Sequence, residues 1–140
     1  MIHLKTIPRF NTHRLPYYGR NLFAGGSGNI EYLPFISWRE VSTRGSYKGR
    51  LVAAEICGES LTEEGIFDGD LAVIELTYEA RNGQLVAALT PQGMMAKYFY
   101  QEPDYTVRLE SRNQAYLPLY FRPHQISVHG IVREIIRKLK

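Results

Sequence analysis

The sequence predicts a mostly β fold: a compact β-strand domain with one short helix, preceded by an extended N-terminal arm. Three observations carry this. Ten Tyr, six Phe and many Val and Ile lean the composition toward strands. Short apolar runs recur from about residue 50 onward, separated by Gly, Asn and Pro turn signals. A single stretch, Ser60-Leu61-Thr62-Glu63-Glu64, reads as helix, and it is only one or two turns long. The 140 residues suit one domain. An apolar fraction of 44% is enough for a packed core, which argues against disorder of the whole chain.

Residues 1–31 read as the arm. Pro8 and Pro16 interrupt any helix there, and the apolar residues keep no period. The arm ends in Phe23-Ala24-Gly25-Gly26-Ser27-Gly28-Asn29, a segment with little side-chain bulk that can thread into a narrow cleft. The domain, residues 32–140, follows. Leu51–Ile56 and Leu71–Leu76 are apolar runs of strand length. Gln84–Thr90 and Met94–Tyr100 form a hairpin about Pro91-Gln92-Gly93, and Asn82-Gly83 is a further turn. Tyr105–Glu110 alternates, as a half-buried strand does. Ile126–Ile136 is β-branched, with a bend expected at Gly130. No internal repeat is present. No helix-turn-helix pattern precedes the domain, and the Pro-broken arm is short for a DNA-reading module.

The net charge of +3 is unevenly placed. Residues 1–24 carry Lys5, Arg9, Arg14 and Arg20 and no acid, and residues 133–140 carry four basic residues against Glu134. The stretch between is therefore mildly acidic. Basic ends can attract nucleic acid, but no aromatic-plus-basic stacking pattern accompanies them, so direct DNA contact stays open. The single Cys57 excludes a disulfide framework within the chain and fits a reducing compartment. Its strand context predicts a buried, inert thiol. The first residues, Met1-Ile2-His3-Leu4-Lys5, hold no apolar signal region, and no apolar run approaches a membrane span. A soluble, cytoplasmic protein without a membrane partner is expected.

Two residues invite chemistry. Ser60 follows a strand and opens the short helix, with Glu63 three residues on at capping-box spacing. A helix cap is one reading. A nucleophile is the other, since free N–H groups at a helix start also stabilise an oxyanion. No histidine is well placed to serve as its base: His3 and His13 lie in the arm, His124 and His129 near the end. Lys97, however, interrupts the apolar strand Met94–Tyr100, and alternation puts it on one face with Met95 and Phe99. Either it snorkels to water, or burial lowers its pKa and makes it a base for a serine. Asp68-Gly69-Asp70 lacks the ligand spacing of a calcium loop and reads as a tight turn. No metal and no cofactor are expected.

Ser60 and Lys97, 37 residues apart, belong to a longer pattern. It comprises Gly58-Glu59-Ser60-Leu61, Gly65-Ile66-Phe67-Asp68-Gly69-Asp70-Leu71, Asn82-Gly83-Gln84-Leu85-Val86-Ala87-Ala88 and Ala96-Lys97. It continues through Leu109-Glu110-Ser111-Arg112-Asn113-Gln114-Ala115-Tyr116 to His129-Gly130-Ile131-Val132. In order and spacing, residues 50–135 resemble the LexA/UmuD/phage-repressor family of self-cleaving peptidases. The resemblance implies a Ser60–Lys97 dyad, an oxyanion held by backbone at Glu59 and Ser60, and self-cleavage at Ala24–Gly25, with Gly25–Gly26 as the neighbouring bond. The short arm most resembles the stand-alone UmuD form. That form implies a homodimer, a RecA filament on single-stranded DNA as activator, and a translesion (Y-family) DNA polymerase as partner in the SOS response. Leu61 departs from the Met usual after the serine, and Ala24 stands where the best-known UmuD has Cys. The rival expectations are a LexA- or phage-repressor-type regulator, a non-enzymatic dimerisation module with a residual dyad, and a signal-peptidase-like enzyme, which needs a membrane anchor.

Overall fold

The shape of the sheet follows from where the apolar runs are continuous and where they alternate. In the computed structural model, which describes residues 14–17, 31–37 and 47–137, the strands are β1 (Arg14–Tyr17), β2 (Glu31–Ser37), β3 (Leu51–Glu55), β4 (Leu71–Leu76), β5 (Leu85–Thr90), β6 (Gly93–Gln101), β7 (Val107–Glu110), β8 (Leu119–Phe121) and β9 (Ser127–Ile136). They form one sheet in the order β2-β1-β3-β4-β9-β5-β6-β7-β8. Strands β3 to β9 pair antiparallel throughout, and β1 joins β3 in parallel at Tyr17↔Ala53. Pro34 sits on β2, an edge strand, where a missing ladder donor is tolerated.

The mostly β expectation holds, and the reason is visible in the burial. In β3, β4 and β5 both faces are covered, so the sequence reads as unbroken apolar runs. One face of the sheet packs Val52, Ala54, Ile74, Leu85, Ala87 and Met94 into a core with Leu61 and Ile66. The other face packs Val86, Ala88, Phe99, Leu109, Phe121 and Ile131. β7 is buried on alternate residues only, and its sequence alternates accordingly.

Two local expectations change. The helix expected at 60–64 is a single 3-10 turn, Thr62–Glu64, that begins at Leu61 without a side-chain cap. The Ser60–Glu63 capping box is not formed because longer-range bonds take its groups. The Arg112 N–H donates to the Ser60 carbonyl at 2.7 Å, the Glu63 N–H donates to the Arg112 carbonyl at 2.8 Å, and the Gln114 N–H donates to the Glu63 carboxylate at 2.8 Å. Cys57 is exposed rather than buried. Strand β3 ends at Glu55, and the chain turns away at Gly58, whose φ of 89° is the left-handed region that favours glycine. Gly130 lies beside the register shift at His129 in the β5–β9 pairing, where the bend was expected, and it also meets a close approach, since a Cβ there would lie 2.4 Å from Ile74 Cγ2. Finally, β9 lies between β4 and β5. It meets β4 through Gly130–Ile136 and β5 through Ser127–Ile131, so each of its edges is paired over part of its length.

Candidate active site

The loop carrying Ser60 is held from three directions. At its start, the Ile56 N–H donates to the Asp70 carbonyl at 2.8 Å and the Gly69 N–H to the Ile56 carbonyl at 2.9 Å. The Gly58 N–H then donates to the Asp68 carboxylate at 2.7 Å. Asp68-Gly69-Asp70 is thus the tight turn expected, closed by the Asp70 N–H on the Phe67 carbonyl at 3.0 Å. Beyond Ser60, Leu61 is buried in the core and anchors the loop from below. From the side comes the segment after β7. Besides the Arg112 bonds to the backbone of Ser60 and Glu63, the Asn113 amide donates to the Glu59 carbonyl at 2.8 Å and to Thr62 Oγ1 at 3.2 Å. Among the described residues the Glu59 and Ser60 N–H groups and the Ser60 hydroxyl donate to none of these partners.

Lys97 comes from the middle of β6, opposite Val86 of β5. Its Nζ donates to Ser111 Oγ at 2.9 Å and lies 5.4 Å from the centre of the Tyr116 ring. Burial lowers its pKa from the ordinary lysine value, because the charged ammonium loses water. Ser60 and Lys97 line one cavity of about 390 Å³, with Ile56, Cys57, Met95 and Tyr116 among its walls. A half-buried amine of lowered pKa in the same cavity as a serine hydroxyl is deprotonated at lower pH than an ordinary lysine and can then take up a proton. A larger cavity, about 930 Å³, borders Tyr47, Glu75 and Arg133. There the charges already serve the fold, with Arg133 and Glu75 paired at 2.7 Å.

Residues 16–133 match the family model described as Peptidase S24-like. The chain belongs to the peptidase S24-like family. Members similar to it include the LexA repressor of Thermotoga maritima, 36% identical over 111 residues, which are 79% of this chain and 55% of that protein. The LexA repressor of Novosphingobium aromaticivorans is 40% identical over 91 residues, 64% of this chain and 38% of its own. That of Leptospira interrogans is 44% identical over 69 residues, 49% of this chain and 34% of its own. The chain therefore spans about half or less of the length of these S24-like relatives.

Of the residues singled out in the sequence, Ser60 and Lys97 share the cavity and Glu59 forms the loop beside them. Ala24 and Gly25 lie outside the described residues. Sequence reasoning assigned no role to Ser111, Asn113 or Tyr116. The signal for Ser111 was the register of the β6–β7 hairpin: Tyr98↔Glu110, continued by one pair, sets Ser111 across from Lys97. No group of three or more metal-ligating side chains occurs among the described residues. No helix there is long and apolar enough to cross a membrane.

Proposed function

We propose that the protein is a self-cleaving serine peptidase in which Ser60 is the nucleophile and Lys97 the general base. One observation carries the reading: in an S24-like chain, a serine hydroxyl and a lysine of lowered pKa line the same cavity. In this reading residues 1–31 are the substrate arm and residues 32–140 the peptidase domain. Neutral Lys97 takes the Ser60 proton as Oγ attacks the Ala24 carbonyl carbon. The Glu59 and Ser60 N–H groups hold the oxyanion. Lys97 returns the proton to the Gly25 nitrogen as the C–N bond breaks. Water, deprotonated by Lys97, then releases the acyl group and restores Ser60. Because arm and site share a chain, weak docking suffices.

The test is intact mass of wild-type and Lys97→Ala protein after incubation at mildly alkaline pH. A wild-type fragment beginning at Gly25, absent from Lys97→Ala, is expected. The rate should rise with pH and level off above the Lys97 pKa. A rate that is flat from neutral to strongly alkaline pH overturns Lys97 as base, and cutting by Ser60→Ala overturns the nucleophile.

Two biological settings fit this chemistry. The UmuD-like setting is a homodimer, activated by a RecA filament and joining a translesion polymerase in the SOS response. The names of the relatives favour a second, that of a LexA-type repressor. Specific retention of an operator duplex over random duplex selects the repressor, and co-purification with a polymerase selects the UmuD-like role.

A further inference from the structure

We propose that Ser111 is a positioning residue for Lys97, its hydroxyl holding the Nζ within the Ser60 cavity. This rests on the reading of Lys97 as the base. The contact is the 2.9 Å hydrogen bond from Lys97 Nζ to Ser111 Oγ. It is built by the hairpin, whose pairs Tyr98↔Glu110 and Phe99↔Leu109 bring residue 111 opposite residue 97.

A lysine side chain has four rotatable carbons, and burial alone does not choose among its rotamers. A base must present its lone pair to one hydroxyl. An anchor that accepts one N–H achieves this, since a neutral amine then keeps its lone pair for Ser60. A hydroxyl suits the task better than a carboxylate. It accepts from the ammonium and from the neutral amine alike, so the anchor survives the proton cycle. Being uncharged, it leaves in place the lowered pKa that burial produces, which a carboxylate would reverse. The same short segment fixes the nucleophile, because the Arg112 N–H donates to the Ser60 carbonyl at 2.7 Å. Residues 111 and 112 thus tie base and nucleophile to one rigid strand end. Among the described residues, the other titratable groups lining the cavity are Cys57 and Tyr116.

The experiment compares self-cleavage of wild type, Ser111→Ala and Ser111→Thr across pH. Ser111→Ala should lower the plateau rate by about 10- to 100-fold, the penalty of a misplaced catalytic group. It should also move the midpoint of the pH–rate curve to lower pH, because the ammonium loses an acceptor. Ser111→Thr, which keeps the hydroxyl, should recover most of the rate and the wild-type midpoint. A purely structural role would lower the rate without moving the midpoint. A plateau within twofold of wild type and an unmoved midpoint overturn the proposal. A second measurement does not need cleavage: NMR titration of the Lys97 Cε signal in Ser60→Ala, with and without Ser111→Ala. If wild type never cleaves, with or without a RecA filament on single-stranded DNA, yet this titration shifts, the positioning stands and the peptidase reading falls. If the titration does not shift, the positioning falls.

Discussion

Lys97 shows how one side chain can work against the fold that holds it. Its folded pKa lies below the ordinary 10.5 because burial penalises the ammonium. Between the two values the unfolded chain binds more protons than the folded one, so stability rises with pH through that window. Below the folded pKa the whole penalty is felt. Lys97→Met should therefore raise stability at pH 7, and the gain should shrink as pH approaches 10.5. Urea midpoints in a Ser60→Ala background, which removes any cleavage, would show this. A loss of stability at pH 7 would mean that the bond to Ser111 outweighs burial. Asp70 is the opposite case. The Arg137 guanidinium bonds it at 2.6 and 2.7 Å, burial works against this, and the Phe67 N–H adds a bond at 2.8 Å; together they hold its carboxyl below 3.8. That stability is complete above pH 3.8 and is lost as pH falls through the folded value. Asp70→Asn should cost about 1–3 kcal/mol at pH 7. The lower end is expected, because Arg137 is 51% exposed and water screens the pair. The difference from wild type should narrow in acid, as read from denaturant midpoints at pH 7 and pH 2.

At the scale of elements, β9 is the piece on which both halves of the sheet depend. It pairs with β4 on one side and β5 on the other, with a register shift in each pairing. Gly130 sits where β9 approaches most closely. A Cβ there would meet Ile74 Cγ2 at 2.4 Å and the Glu75 carbonyl oxygen at 2.8 Å, and the second of these is backbone that cannot swing aside. Gly130→Ala should destabilise by about 1–3 kcal/mol through overpacking. A thermal midpoint equal to wild type would show that the β4–β9 spacing relaxes freely. The 3-10 turn after Ser60 tells a related story. Its sequence favours a local cap, yet the bonds from residues 112 to 114 take the capping groups. The sequence therefore showed a helical turn here but neither its start nor its length.

At the scale of the molecule, three strands escaped sequence reasoning: β1, β2 and β8. Strand β8 is three residues long with two of them exposed, too short to show a period. Strand β1 is four residues and contains Pro16, so only its partners reveal it. What defines both is pairing with a neighbouring strand, which is a property of the sheet and not of the segment. Strands β3 to β7 and β9 were readable because their own residues carry the pattern: continuous apolar runs where both faces are buried, alternation where one is. The same holds for Ser60 and Lys97, which stand out as a serine before a short helix and a charge inside an apolar strand. Composition and local pattern thus settled the class of fold and marked Ser60 and Lys97 as candidates. The meeting of those residues in one cavity, the Ser111 bond and the exposure of Cys57 were decided by tertiary structure. Each depends on strand register and on hydrogen bonds between segments up to 54 residues apart, and such partners leave no trace in the local order of residues.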